Sequence, residues 1–183
     1  MSAESNEESA HGIESRFGWP IGGIIAGAVG AAAFGLVMWL FDPEIVQVTI
    51  PAFYGLEAGG IAGWAIHIAH GAVLGVIFGF IVTREIMLGI IRTNPETEAL
   101  SETGVTVRLV GAGLAFGLAI WAIIPLIVLP TLAGPVGGEA ATEFPGTAVE
   151  SLSGHALYGL VLGAVFAITI DVHHQPADSP FEE

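Results

Sequence analysis

The sequence predicts an all-α membrane protein of four transmembrane helices, arising from tandem duplication of a two-helix hairpin. Three observations carry that expectation. The chain of 183 residues is 53% hydrophobic and only 12% charged, with a mean hydropathy of +0.76; that is about half the charge of a soluble domain. It contains four apolar stretches, each longer than the roughly 20 residues that cross about 30 Å of hydrocarbon. Two of these stretches share one pattern, a small residue at every fourth position with a histidine at the centre. The first reads Gly59, Gly63, His67, Gly71, Gly75, Gly79; the second reads Thr147, Ser151, His155, Gly159, Gly163, Ala167.

The elements follow in chain order. Residues 1–17 carry Glu4, Glu7, Glu8 and Glu14. Their composition predicts a disordered acidic tail, without the basic start of a signal peptide. The bundle is expected over residues 18–172. Its first span, Trp19–Phe41, has its own small-residue row at Gly23, Gly27, Ala31 and Gly35. Pro43 and Pro51 mark the first connection and Leu56–Thr83 the second span. Asn94-Pro95 and the acidic run Glu96–Glu102 mark the central connection. The third span is Val107–Leu129, with a shorter row at Gly113 and Gly117. Pro130, Pro135 and Pro145 precede the fourth span, Ala148–Asp171. A polar tail over 173–183 contains His173 and His174.

Small residues four apart let two helices approach backbone to backbone, with a right-handed crossing near −40°. Gly59, Gly63, Gly71, Gly75, Gly79, Gly159 and Gly163 are therefore read as packing positions. The two halves, 18–92 and 104–172, match at further points. Phe34-Gly35-Leu36 and Trp39 correspond to Phe116-Gly117-Leu118 and Trp121, and Phe78 and Phe166 fall in register after the two histidines. Each half holds two spans, so the expected relation is an axis along the membrane normal, as in parallel-repeat transporters.

Charge restricts the function further. The chain has 18 acidic residues against four arginines and no lysine, a formal charge of −14. That balance removes nucleic acid as a partner. It suits concentrated salt, where screening acts over roughly 3 Å, and so points to a halophilic source. With no cysteine, disulfides, thiolate zinc sites and iron–sulfur clusters are excluded. There is no Walker A run, no dinucleotide fingerprint and no HExxH helix.

The candidate chemistry lies with the histidines. If the repeat axis brings His67 and His155 face to face, the pair suits axial ligation of a b-type haem, with His70 as a further ligand or propionate contact. In the leading reading, each neutral imidazole instead donates a hydrogen bond across a helix interface, with Ser151 and Ser153 as nearby partners; this needs no cofactor. His67 and His70 alone do not complete a metal site. Glu57 and Glu150, at the outer ends of the second and fourth spans, are read as solvated.

The Gly-rich first span, His67-Ile-Ala-His70-Gly71 with Leu74-Gly75, and His155-Ala-Leu-Tyr158-Gly159 with Leu162-Gly163 resemble a group of small four-span membrane proteins of halophilic archaea. The resemblance covers roughly residues 18 to 172. Some such proteins accompany haem–copper terminal oxidases. It implies a non-catalytic accessory subunit of a respiratory complex, with the bilayer and either that larger complex or self-association as partners. The alternatives are a membrane electron carrier holding haem b through His67 and His155, and a small channel or transporter formed by oligomerising bundles.

Arg16 precedes the first span, while Arg84, Arg92 and Arg108 flank or lie in the central connection; the other two connections hold only acids. The positive-inside rule then predicts a multi-pass protein of the cell membrane with both termini in the cytoplasm. Reporter fusions at residues 1–15 and 173–183 are expected to score as cytoplasmic, and an outward signal from either tail overturns this topology.

Overall fold

A computed structural model describes the backbone of residues 4–84, 98–123 and 140–170, and the side chains of 18–84, 104–123 and 149–170. The helices are α1 (Glu4–Phe41), α2 (Gly60–Val82), α3 (Glu98–Ile123) and α4 (Ala140–Thr169). No strand occurs among the described residues. Each helix contains a stretch long and apolar enough to cross a membrane: Gly18–Phe41, Gly60–Val82, Gly104–Ile123 and Val149–Thr169. The chain is thus an all-α protein built for a bilayer.

Three acidic segments depart from expectation in the same way. Residues 4–17, read as a disordered tail, continue α1. Glu98–Glu102, read as connection, begins α3. Glu143 and Pro145, read as connection, lie inside α4. Acidic residues depress hydropathy and so look like loops, yet at a helix N-terminus they meet unpaired N–H groups and the positive end of the dipole. The second span starts later than expected, at Gly60. Residues 56–59 belong to the connection, which turns at Gly55, where φ of +66° requires glycine. The end of the third expected span, residues 124–129, and the tail 173–183 lie outside the described residues.

The connection between α1 and α2 is structured. A π-helical turn, Ile45–Thr49, and a single helical turn, Ile50–Ala52, fold back against the start of α2. The Gly59 N–H donates to the Gln47 carbonyl at 2.8 Å. The Val46 carbonyl is seated directly on Gly63, where a Cβ would overlap it.

The bundle is ordered α2–α1–α4–α3 in space. Extensive contact joins α1 to α2, α3 to α4 and α1 to α4, whereas α2 and α3 barely meet. The α1–α2 contact is backbone on backbone. A Cβ on Gly23 would lie 2.7 Å from the Gly75 carbonyl oxygen, one on Gly71 would lie 2.7 Å from the Gly27 oxygen, and Gly27 abuts Gly71. The α3–α4 contact repeats this with other residues. Gly113 and Gly159 face each other, Gly163 faces Leu109, and Gly117 faces His155.

The α1–α4 contact uses a second row on α1, one residue offset from the first: Gly22, Ala26, Gly30 and Phe34. Here large side chains fill small positions. A Cβ on Gly30 would lie 3.0 Å from the Tyr158 ring, and one on Gly22 would lie 3.0 Å from Thr169 Oγ1. Tyr158, Leu162 and Phe166 of α4 are buried with Ala26 and Phe34. Phe78 and Phe166 meet edge to face, with centroids 5.3 Å apart.

The expected twofold relation is not met between the hairpins, since α1 packs on α4 while α2 and α3 do not pack equivalently. The two halves also differ in sequence along this row. With Phe34 matched to Phe116, the residue corresponding to buried Ala26 is Arg108, which is exposed. The contact that α2 does make with α3 includes Phe78 and Phe116, with ring centroids 5.5 Å apart.

Gly71→Leu and Gly159→Leu are each expected to destabilise the bundle by about 1–3 kcal/mol, as overpacking does. Gly104→Leu, with nothing among the described residues within 4 Å of the added carbon, is expected to change stability by no more than about 0.5 kcal/mol. Thermal unfolding followed by size exclusion in mild detergent reads all three.

Candidate functional site

The interface helices bring His67, His155 and Phe34 together. Phe34 sits on α1 where a Cβ on Gly154 would overlap its ring, so only glycine at 154 admits it. Its ring lies edge-on to both imidazoles, with centroids 5.6 Å from His67 and 4.8 Å from His155. Trp64 packs on Gly35 and meets His67 at 6.5 Å. The two histidines therefore share one aromatic neighbour.

Their hydrogen bonds differ. His67 Nε2–H donates to the Ala31 carbonyl on α1 at 3.0 Å. His155 Nδ1–H donates within its own helix, to the Ser151 carbonyl at 2.8 Å. A carbonyl oxygen only accepts, so the two rings carry their protons on different nitrogens. The serine hydroxyls expected as partners play no part in these bonds; Ser153 Oγ instead donates to the Glu150 carbonyl at 2.8 Å. Tyr158 provides a further cross-bundle link. It is buried, and its hydroxyl donates to the Gly71 carbonyl of α2 at 3.0 Å.

Axial haem ligation by both histidines requires two ring nitrogens aimed at one iron from opposite faces of a flat macrocycle. Here Nε2 of His67 is engaged by Ala31, and the Phe34 ring lies against both imidazoles. The arrangement as it stands does not fit a haem between them. His70 does not join the pair; it is exposed, and its Nε2 is hydrogen-bonded to the Tyr54 hydroxyl. Among the described residues, no three His, Asp or Glu side chains gather into a possible metal site. Glu57 and Glu150 are both exposed.

The glycines of the two stripes have distinct roles. Gly71 and Gly75 face α1, Gly159 and Gly163 face α3, Gly63 seats Val46, and Gly79 lies against the rings of Phe166 and Trp19. Gly59 caps α2 with an extended backbone, φ −174°. The sequence reading gave no site role to three participants: Phe34, Tyr158 and Tyr54. The row Gly22, Ala26, Gly30 beside the one already noted would have exposed the α4 contact, and with it Phe34 and Tyr158. Tyr54 lies in an aperiodic connection, where no spacing marks it.

Phe34→Ala is expected to cost about 3–5 kcal/mol, in the range of large core truncations. His67→Ala and Tyr158→Phe should each cost about 0.6–2 kcal/mol, the scale of one interhelical hydrogen bond. The purified protein is expected to show no Soret band; a band lost in both His67→Ala and His155→Ala would instead identify axial ligands. No family model, curated protein or solved structure matches the chain, so a reading of its function draws on this geometry and the sequence motifs.

Proposed function

We propose that this chain is a non-catalytic accessory subunit of a respiratory membrane complex, a haem–copper terminal oxidase. We place it in the cell membrane with both termini in the cytoplasm. One observation carries the reading: the outward face of α3. Gly111, Ala115 and Ala119 form a small-residue row there, four residues apart and exposed, and among the described residues nothing lies within 4 Å of a carbon added to Gly111. The span of α3 is also the least covered of the four, with 17% of it buried against 28–33% for the others. A row of this kind is the surface by which one membrane helix admits another.

The bundle interior supports the same reading. His67, His155 and Tyr158 each bond to backbone carbonyls of this chain, which suits holding helices in register more than turning over a substrate. The resemblance to small four-span proteins of halophilic archaea supplies the kind of partner. The matching glycine and histidine stripes support a tandem duplication of the hairpin.

The test is purification of the complex from native membranes in mild detergent. The wild-type chain is expected to co-migrate with a larger oxidase complex that carries all the haem. Gly111→Leu combined with Ala115→Leu should abolish co-migration while leaving the thermal midpoint of the isolated bundle unchanged. A wild-type chain that migrates alone, or a double variant that still co-migrates, overturns the reading.

A further inference from the structure

Arg84 stands at the edge of the second span. The apolar stretch of α2 ends at Val82, and Arg84 follows two residues later. Its side chain folds back along the helix. The guanidinium Cζ lies 3.7 Å from the centroid of the Phe80 ring. Phe80 belongs to the last turn of the apolar stretch and is 46% exposed, so its ring borders lipid. The cation is therefore level with the end of the apolar stretch, on the lipid-facing side of α2.

Two helices build this placement. Gly79 makes room for Trp19 of α1, since a Cβ there would lie 3.1 Å from the indole. Trp19 in turn meets Phe80, with ring centroids 6.2 Å apart. Phe80 is thus flanked by Trp19 from α1 and by Arg84 from its own helix. A guanidinium has five N–H donors, and contact with an aromatic ring uses none of them. The chain has 18 acidic residues, yet no carboxylate pairs with Arg84 among the described residues.

Position and charge restrict what those donors bind. Water accepts hydrogen bonds but leaves the charge uncompensated beside a lipid-facing ring. An anion supplies both the acceptors and the opposite charge. Anions dissolved in the aqueous phase are repelled by a chain of formal charge −14. A phospholipid phosphate is instead held at the border of the hydrocarbon, at high density around every span. Its two unesterified oxygens match the fork of a guanidinium. We propose that Arg84, positioned by Phe80 and Trp19, binds the phosphodiester of a phospholipid headgroup. The acyl chains of that lipid run along Ile77 and Ile81, which continue from Arg84 on the same side of α2 and are exposed. The site rests on the bilayer setting of the four spans. It does not involve the α3 face, so it stands or fails separately from the accessory-subunit reading.

The full chain, delipidated in an uncharged detergent, is titrated with phosphatidylglycerol, and the first lipid bound is followed by native mass spectrometry. Diacylglycerol with the same acyl chains and inorganic phosphate serve as the other two probes. Phosphatidylglycerol is expected to bind at least about tenfold more tightly than diacylglycerol. Arg84→Gln should remove that advantage, a loss on the scale of one charge-assisted hydrogen bond. Phe80→Leu, which keeps the charge and an apolar side chain, should weaken binding several-fold. Arg108→Gln makes the same charge change near the start of α3 and should leave binding unchanged. Equal affinity in wild type and Arg84→Gln overturns the proposal, and so does an equal loss in Arg84→Gln and Arg108→Gln, which then reports charge alone. Diacylglycerol bound as tightly as phosphatidylglycerol overturns it as well. So does inorganic phosphate that displaces the lipid at equal concentration, because a free anion is then the ligand.

Discussion

Backbone-to-backbone contact between glycine-rich helices is the constraint on which the structure depends. Inside a bilayer the lipid chains are as apolar as leucine, so burying apolar side chains does not by itself drive helices together. Association relies on close van der Waals contact and on a few interhelical hydrogen bonds. Gly23, Gly27, Gly71 and Gly75 provide that closeness in one hairpin, and Gly113, Gly159 and Gly163 in the other. The hydrogen bonds follow from the same closeness. Tyr158 reaches the carbonyl of Gly71, and His67 reaches that of Ala31, across interfaces that larger residues would hold apart.

The two hairpins are joined by a different kind of contact. Helix α1 presents one small row to α2 and an adjacent small row to α4. The second row receives bulk: Tyr158 against Gly30, and Thr169 and Ile170 against Gly22. Phe34 reverses the relation by filling the space over Gly154. In doing so it separates the two imidazoles that the repeat pattern would pair. The two imidazoles thus share one aromatic neighbour while bonding to different carbonyls.

Much of this was legible in the sequence. Span length and hydropathy gave four membrane helices, and the fourfold spacing drew attention to Gly71, Gly75, Gly159 and Gly163. Helix starts were less legible, because Glu4, Glu98 and Glu143 lower hydropathy where they favour helix initiation. The partners of the histidines could not be read at all. His67 and His155 occupy matching places in the pattern, yet the acceptor of one lies on a neighbouring helix and that of the other four residues back. Both rings nevertheless pack on the same side chain, Phe34. Tyr54 depended on the course of a connection whose turn at Gly55 has no periodicity to reveal it.

The central position of α1 has a consequence for how the molecule is made. Chains emerge N-terminus first, so α1 and α2 are available to pair through Gly27, Gly71 and Gly75 while the rest is still being synthesised. The other face of α1, formed by Gly22, Ala26 and Gly30, has no occupant until the last helix arrives. The nascent hairpin therefore waits in the membrane with that second surface uncovered, for as long as ribosome and insertion machinery take to deliver two more spans. Biogenesis, more than the finished fold, is the stage at which this chain is open to pairing with the wrong neighbour.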